Sequence, residues 1–439
     1  MISPRTAAAA LALAALLPGC DLVEVDDRPN PNGPALEDVV ANPTRAAIAN
    51  VAVGVESTAR TGLGTYLANV GVIGREFYRV SPSDPRLTQD LLGGGSSVLD
   101  NNTFYTNTPW LSRYRTIRNA NTMLVALDAN TTLSDAEKAG ARGFARTWIA
   151  YQYLLNLNLT FENGVRFIEP GEDEAGPPVG YDESLGRIAG LLDQAAQDLA
   201  AGGDAFFFPT TVGQGVPGTP DGYRRINRGI AARVDAYRGD WQGVLDALGG
   251  SFVDAAAPLT DGAYHVFSTA AGDVQNPFFF ALGGGGEGVL AQPSFVTDIE
   301  EGDTRISKVA ARETARTFDG LTSGFDVDVY KTATSPIPIV RNAELVLLRA
   351  EANAQLGNAD AAVADLDVVR GNAGLDGYDG ATDTGSLVDE VLRQRRYELY
   401  AEGHRWLDLR RYGRLGELPI DRPDDDVFDR FPIPEPENV

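Results

Sequence analysis

The densest group of ionisable side chains in this sequence lies between residues 388 and 411. Arginines and carboxylates recur there three and four residues apart, the spacing that makes them neighbours on one helix. A carboxylate with an arginine in reach has a lowered pKa and makes a poor general acid, so the run predicts no catalytic residue. We expect a partly buried ion network that fixes the geometry of this helix, with a solvated ladder of surface pairs as the alternative. The network residues are Arg395, Glu398, Glu402, Arg405 and Asp408.

Other patterns with catalytic or metal-binding chemistry are nearly absent from the sequence. His265 and His404 are far apart, and neither has the i,i+4 partner of a zinc-binding helix. The glycine runs 93–95 and 283–286 lack the Lys-Ser/Thr ending of a phosphate loop and predict flexible loops. A hydrolase that uses two carboxylates stays an alternative, although no pair of acids is singled out. We therefore predict no enzyme, no metal site and no cofactor.

Cys20 is the only cysteine, and it ends a segment typical of an export signal. Arg5 is followed by an apolar run over residues 6–17, which is shorter than the roughly 20 residues that span a bilayer. Residues 17–20, Leu-Pro-Gly-Cys, resemble the lipobox of bacterial lipoproteins, in which the cysteine becomes the acylated N-terminus. The sequence predicts lipidation at Cys20; the alternatives are a secretory signal with an incidental cysteine and an uncleaved anchor.

The segment that follows is predicted to be a tether. Residues 1–19 form the expected signal peptide, residues 20–43 a lipidated tether rich in proline, asparagine and aspartate, and residues 44–439 the folded domain. The formal net charge of −24 excludes a nucleic-acid partner, because phosphate binding needs a basic surface. It also repels anionic headgroups, so membrane attachment is expected to rest on the acyl chains.

Amphipathic periodicity predicts a mainly α fold with about four irregular, tetratricopeptide-like helix pairs. The clearest pair spans residues 342–371, with a turn at 357–358. Its first helix is expected to bury Leu345, Leu348, Ala352 and Leu356.

The other predicted helices begin at polar capping residues. A capping box at 134–137 opens one helix, and Asp182 is expected to cap another. A further pair is expected at 223–248, and a last long helix at 386–413, capped by Ser386. Insertions near 74–109, 201–222 and 250–340 carry glycine, proline and aromatic residues, and insertions of this length are usually functional or self-packed.

Several short motifs, taken in order, resemble the SusD/RagB family of outer-membrane nutrient-binding lipoproteins. The matching pieces are the leader with Cys20, the stretch Trp110-x3-Tyr114-x2-Ile117-x-Asn119-x-Asn121, Arg341 to Leu345, Ala350 to Ala352, Val368 to Leu375, Glu390 to Gly413 and the ending Phe431-Pro432-Ile433-Pro434. Each motif alone is weak, whereas their order is specific. The region between the repeats is shorter than in many family members, and no substrate-loop motif carries over.

The resemblance implies a lipid-anchored protein of the outer membrane that faces the cell exterior. It implies a partner, a SusC-like TonB-dependent outer-membrane barrel, and a captured oligosaccharide or peptide that is delivered to that transporter. The alternatives are a tetratricopeptide scaffold lipoprotein of the outer membrane and a lipid-anchored glycosidase. Long aromatic insertions argue against the scaffold, which would have regular repeats and short loops.

Ligand-binding residues are expected in the insertions, because the helical stripes are committed to the core. Aromatic rings stack on the apolar faces of sugars, and Asn, Asp and Arg hydrogen-bond the hydroxyls. The segments 74–109 and 264–297 are predicted to meet on one face and form the ligand cleft. The candidate residues are Tyr78, Tyr105, Phe279, Phe295, Arg75 and Asn101.

Overall fold

The computed structural model describes residues 36–41, 43–95, 97–172 and 174–435. Cys20, the leader and most of the predicted tether lie outside these described residues, so the lipidation and the domain boundaries stay predictions.

Helices dominate the described chain, and the expectation of a mainly α fold is confirmed. The helices are α1 (Leu36–Ala41), α2 (Arg45–Ala59), α3 (Leu63–Ile73), α4 (Arg86–Leu92), α5 (Phe104–Ala129), α6 (Asp135–Thr160), α7 (Tyr181–Ala200), α8 (Pro220–Arg238), α9 (Trp241–Gly249), α10 (Ser294–Thr297), α11 (Asn342–Gln355), α12 (Ala359–Asn372), α13 (Thr384–Glu398) and α14 (Arg405–Arg411). Consecutive long helices pack on one another from α5 to α9, and α11 packs on both α12 and α13. None of the described helices is long and apolar enough to cross a membrane.

Helix starts follow the capping chemistry, with two corrections. The capping box of Ser134 and Glu137 is present at the start of α6. Asp182 is not a cap, because the N-cap of α7 is Gly180 and Asp182 lies in the first turn. The cap of α13 is Asp383, whose side chain accepts a hydrogen bond from the Ser386 backbone N–H, so the helix begins before the predicted residue.

The pair α11–α12 has the predicted turn and buried face, apart from one residue. Leu345, Leu348 and Ala352 are buried, but Leu356 is 42 % exposed. α11 ends at Gln355 and Leu356 is its C-cap, so the helical periodicity no longer directs this side chain to the core.

The predicted last helix is two helices. α13 ends at Glu398, the chain turns through Ala401 with a φ of 62°, and α14 begins at Arg405. The three- and four-residue spacings across this break therefore do not place side chains on a common helical face. Arg395 and Asp408 still pair across the break, whereas Glu398 and Glu402 reach Arg341 elsewhere in the fold.

The described chain also contains antiparallel strands that the sequence did not lead us to expect, most of them in the insertions. These strands are β1 (Phe77–Val80), β2 (Val165–Arg166), β3 (Pro178–Val179), β4 (Gly213–Gln214), β5 (Gly262–His265), β6 (Gly288–Ala291), β7 (Val309–Phe318), β8 (Leu321–Val327) and β9 (Ile337–Arg341). They form a four-stranded sheet in the order β1-β6-β8-β7, a three-stranded sheet β4-β5-β9 and the pair β2-β3. Strands, not only loops, therefore hold the long insertions against the helices.

Candidate functional site

Strands β1 and β6 bring two of the insertions side by side. Phe77 pairs with Ala291, and Val80 pairs with Gly288. The ring of Phe77 lies so close to Gly71 of α3 that a β-carbon at residue 71 would collide with it. This contact seats β1 against α3, and the segments 74–109 and 264–297 meet as the sequence led us to expect.

A cleft of about 440 Å³ opens beside this pairing. Its walls come from α3 and the residues just before it, from β1 and the turn that follows, and from the first turns of α5. The side chains that line it include Arg60, Thr65, Arg79, Ser81, Asp84, Leu87, Phe104, Thr108 and Pro277. One aromatic ring among several hydrogen-bonding groups is the composition of a small-molecule site.

The β1 side of the cleft is fixed by Glu287. Arg79 Nη2 donates to Glu287 Oε2 at 2.6 Å, and Ser81 Oγ donates to Glu287 Oε1 at 2.7 Å. The Arg79 guanidinium also lies 4.3 Å from the centroid of the Phe280 ring. These contacts orient two polar lining residues before any ligand arrives.

Glu287 follows the glycine run 283–286, which the sequence predicted to be a flexible loop. The carbonyl oxygens of these glycines accept hydrogen bonds from two arginines of β7. Arg312 donates to Gly284 O at 3.0 Å, and Arg316 donates to Gly286 O at 2.7 Å. The run is therefore tied to the four-stranded sheet.

The opposite side of the cleft carries a second set of ion pairs. Arg86 donates to both carboxylate oxygens of Asp84, at 2.8 and 2.6 Å, and this contact lowers the pKa of Asp84. The same guanidinium lies 4.9 Å from the centroid of the Phe104 ring. Arg60 pairs with Asp273 at 2.7 Å. The cleft thus presents an ionised acceptor, positioned donors and a ring.

Three of the four predicted ligand-binding rings are buried, so the expectation that they would be exposed is wrong for them. The Tyr105 hydroxyl donates to Asp90 at 2.9 Å. Phe295 packs on Tyr400, with ring centroids 4.1 Å apart. Burial and the nearby Asp421 raise the pKa of Tyr78. These rings serve as core because each lies on the buried face of a regular element: Tyr78 in β1, Tyr105 in α5 and Phe295 in α10.

Phe279 is 37 % exposed and is the one predicted ring that reaches the surface. It lies outside any regular strand, between the buried Phe278 and the half-buried Phe280. It does not line the cleft described above. Its role in ligand binding stays a prediction.

Arg75 and Asn101 contact the C-terminal segment and not the cleft. Arg75 is buried and donates to the carbonyl oxygens of Pro419 at 3.2 Å and Asp426 at 2.6 Å. The carbonyl of Asn101 accepts from the Glu435 N–H at 2.9 Å. Both residues anchor the end of the chain, and sequence spacing carried no signal of this long-range contact.

Phe104, the residue before the predicted Tyr105, is the aromatic ring that lines the cleft. Both residues lie in the first turn of α5. Neighbours on a helix point about 100° apart, so the two rings cannot share one environment. Tyr105 takes the buried position, and Phe104 is left half-buried at the cleft. Extending the buried face of α5 toward its N-terminus would have distinguished the buried Tyr105 from the cleft-facing Phe104.

Four of the five predicted network residues form ion pairs, in two groups of contacts, and Arg405 has no ion pair among the described residues. Arg395 donates to Asp408 at 2.7 Å, and Asp408 also accepts from Arg411 at 3.0 Å. Glu398 and Glu402 instead pair with Arg341, each at 2.9 Å. The break between α13 and α14 separates the groups, which is why Arg395 does not share a network with Glu402.

The second group is anchored by Arg341, at the end of β9. Arg341 and Lys308 outweigh the burial that would raise the pKa of Glu398, and they hold this pKa below its usual value. The side chains of Arg341, Glu398 and Glu402 are each at most 13 % exposed. These residues therefore form a largely buried ion network, and the alternative of a solvated surface ladder does not describe them.

The two histidines are both buried. Burial lowers the pKa of His265 to about 3, so this side chain is neutral at physiological pH. Burial and Arg233 also lower the pKa of His404. Within the described ranges, no group of three or more His, Cys, Asp or Glu side chains could hold a metal ion.

The class of fold is a set of irregular helix pairs that carries a small antiparallel sheet and a polar cleft. Residues 316–430 match the model of the SusD family. This range holds four of the motifs noted above, from Arg341 to Gly413. Comparison with curated protein sequences finds no match.

Solved structures share this fold over most of the chain. A SusD superfamily protein from Bacteroides vulgatus is 16 % identical, with a TM-score of 0.67 over 90 % of this chain and 96 % of that one. One from Parabacteroides distasonis is 18 % identical, with a TM-score of 0.65 over 90 % and 97 %. Surface glycan-binding protein A from Bacteroides uniformis is 18 % identical, with a TM-score of 0.63 over 84 % and 88 %. The chain is SusD/RagB-like, and the resemblance drawn from its motifs is confirmed.

Proposed function

We propose that this protein is a surface lipoprotein that binds a glycan without cleaving it and passes it to a TonB-dependent outer-membrane barrel. The observation that carries the binding role is the cleft beside the β1–β6 pairing. The solved structures with a similar fold include a protein named for surface glycan binding, and this name supports a glycan as the ligand. Oligosaccharide is therefore preferred over peptide.

The composition of the cleft suits a sugar. The Phe104 ring offers an apolar surface for a pyranose face. Asp84 accepts hydrogen bonds from hydroxyls, while Ser81, Thr65 and Arg79 exchange hydrogen bonds with ring substituents. The ion pairs of Arg79 and Asp84 hold these groups in place, which reduces the entropy lost on binding.

Phe104→Ala is expected to weaken glycan binding by at least about thirtyfold. Loss of a stacking ring at a desolvated position commonly costs more than about 2 kcal/mol of binding free energy. A glycan array on the full chain would identify a ligand, and calorimetry would then compare the variant with the wild type. Analysis of the sugar after incubation checks that it is not cleaved.

Phe207→Ala is the matched control for this experiment. Phe207 is also half-buried, with the Arg45 guanidinium 5.0 Å from its ring centroid, but it lies outside the cleft. Wild-type affinity in folded Phe104→Ala would place the ligand elsewhere. Phe279→Ala tests the remaining predicted ring, and a loss confined to that variant would move the site to the outer surface of the 264–297 segment.

Membrane attachment is proposed to depend on the lipid at Cys20. Cys20→Ala should leave the protein unacylated and release it from the outer-membrane fraction, because the acidic chain has no basic patch to replace the acyl chains. Fractionation after a high-salt wash measures this. Retention of the variant after the wash would mean either that the lipoprotein assignment is wrong or that the barrel alone retains the protein. A strain that lacks the barrel separates these two cases.

A further inference from the structure

A second pocket, of about 490 Å³, lies between α10, α13, α14 and the segment that follows α14. It shares no lining residue with the cleft proposed to hold the glycan. Four of its lining residues are arginines: Arg393, Arg396, Arg405 and Arg414. Such a concentration is unexpected in a chain with a net charge of −24.

Three acids, Asp298, Asp389 and Glu417, line the same pocket, and their side chains are exposed. Arg396 pairs with Asp298 at 3.1 Å, and the Arg396 side chain is 16 % exposed while that of Asp298 is 51 % exposed. Asp389, which pairs with Arg414, is 60 % exposed. Exposed carboxylates neutralise a deeper guanidinium only weakly, because water screens them.

Arg405 has no ion pair with any carboxylate of the described residues, and its Nε is buried without a hydrogen-bond partner. Burial and the neighbouring Arg396 guanidinium lower the pKa of Arg405 to about 10, so the side chain stays charged at neutral pH. The acid that most favours this charge, Glu76, has its own pKa raised to about 8 by burial and is mostly protonated there. The half-buried Arg405 therefore has no ion pair among the described residues, and its Nε is free to donate.

Two adjacent guanidinium groups, one of them without an ion pair, can bind an oxyanion between them. Their N–H donors match carboxylate and sulfate oxygens in pairs, and such hydrogen bonds strengthen where water is excluded. We propose that this pocket binds the carboxylate or sulfate group of a ligand, with Arg405 and Arg396 as the principal donors. The site is separate from the glycan cleft, and the proposal does not depend on the function assigned to that cleft.

Calorimetry on the full chain at low ionic strength tests the proposal, with sodium glucuronate and sodium sulfate as probes and glucose as the neutral counterpart. We expect binding of at least one anion and none of glucose. Arg405→Gln and Arg396→Gln should each weaken that binding by at least about tenfold, and raised salt should weaken it in the wild type. Arg396→Gln keeps the test valid if Arg405→Gln does not fold.

Arg142→Gln is the matched control, because Arg142 likewise pairs with an exposed aspartate, Asp128, but on a distant helix. It should bind the anions as the wild type does. Binding of glucuronate alone assigns a carboxylate ligand, and binding of sulfate alone assigns a sulfate ester. If neither anion binds, or if binding survives both arginine substitutions, the proposal is overturned. Glycan binding by Phe104→Ala tests the cleft, and its outcome does not depend on whether the second pocket binds an anion.

Discussion

Arg341→Met is expected to lower the free energy of unfolding by at least about 3–5 kcal/mol, the usual cost of removing one partner of a buried ion pair. Arg341 donates to both oxygens of Glu402 and to Glu398, so its loss leaves Glu402 without its cation and leaves Glu398 with Arg305 at 3.7 Å. Methionine fills much of the volume, so the lost charge dominates the effect. Urea unfolding at neutral pH measures it.

The exposed pair of Arg187 and Glu183 supplies the control. Their side chains are 47 % and 64 % exposed, so Arg187→Met should cost less than about 1 kcal/mol. Adding Glu402→Gln to Arg341→Met should recover part of the lost stability, because one uncompensated charge is removed. Equal small effects of the two single substitutions would show that the Arg341 group behaves as a solvated surface network.

Glu76→Gln is expected to stabilise the protein at alkaline pH. Glu76 is buried, its Oε1 accepts from the Ala401 N–H at 3.1 Å, and its Oε2 has no partner. Burial raises the pKa of this carboxyl from its usual 4.5 to about 8. The stability that the neutral carboxyl provides is therefore full below about pH 4.5 and is lost as the pH rises toward 8. The slope in this window is about 1.4 kcal/mol per pH unit.

Urea midpoints of Glu76→Gln and the wild type at about pH 5 and about pH 9 test this linkage. The stability difference should favour glutamine increasingly as the pH rises, since glutamine cannot ionise. Glu183→Gln, on the exposed face of α7, should show a small difference that does not grow with pH. A pH-independent difference for Glu76→Gln would mean that the carboxylate is ionised in the native protein without cost.

Local patterns predicted the helices well, because capping and burial periodicity are written in neighbouring residues. The capping box at Ser134 and the pair α11–α12 appear where the sequence placed them. The strands were missed, although the hairpin of β7 and β8 had a signal. Asp319-Gly320 lies between two runs of alternating burial, and both residues have the positive φ that a two-residue hairpin turn requires.

The candidate site was predicted by region but not by residue. The contact between the segments 74–109 and 264–297 was predicted from one feature: their aromatic residues lie outside the apolar faces of the predicted helices. Which ring faces the cleft depends on packing, as Tyr105 and Phe104 show. Adjacent aromatics of similar hydrophobicity look alike in sequence, and only the neighbours of each ring distinguish core from lining.

The sequence by itself determined the mainly helical class and the SusD/RagB-like resemblance, because helical periodicity is local and the motifs are read in chain order. The lipid anchor stays a prediction. The tertiary structure alone decided where the charges go. Arg341 and Glu402 are 61 residues apart in the chain, and the turn at Ala401 breaks the helix that would have paired Glu402 with Arg395. Ion-pair partners are set by distances in space, and the break at Ala401 and Gly403, which both have positive φ, changes which charged residues are close.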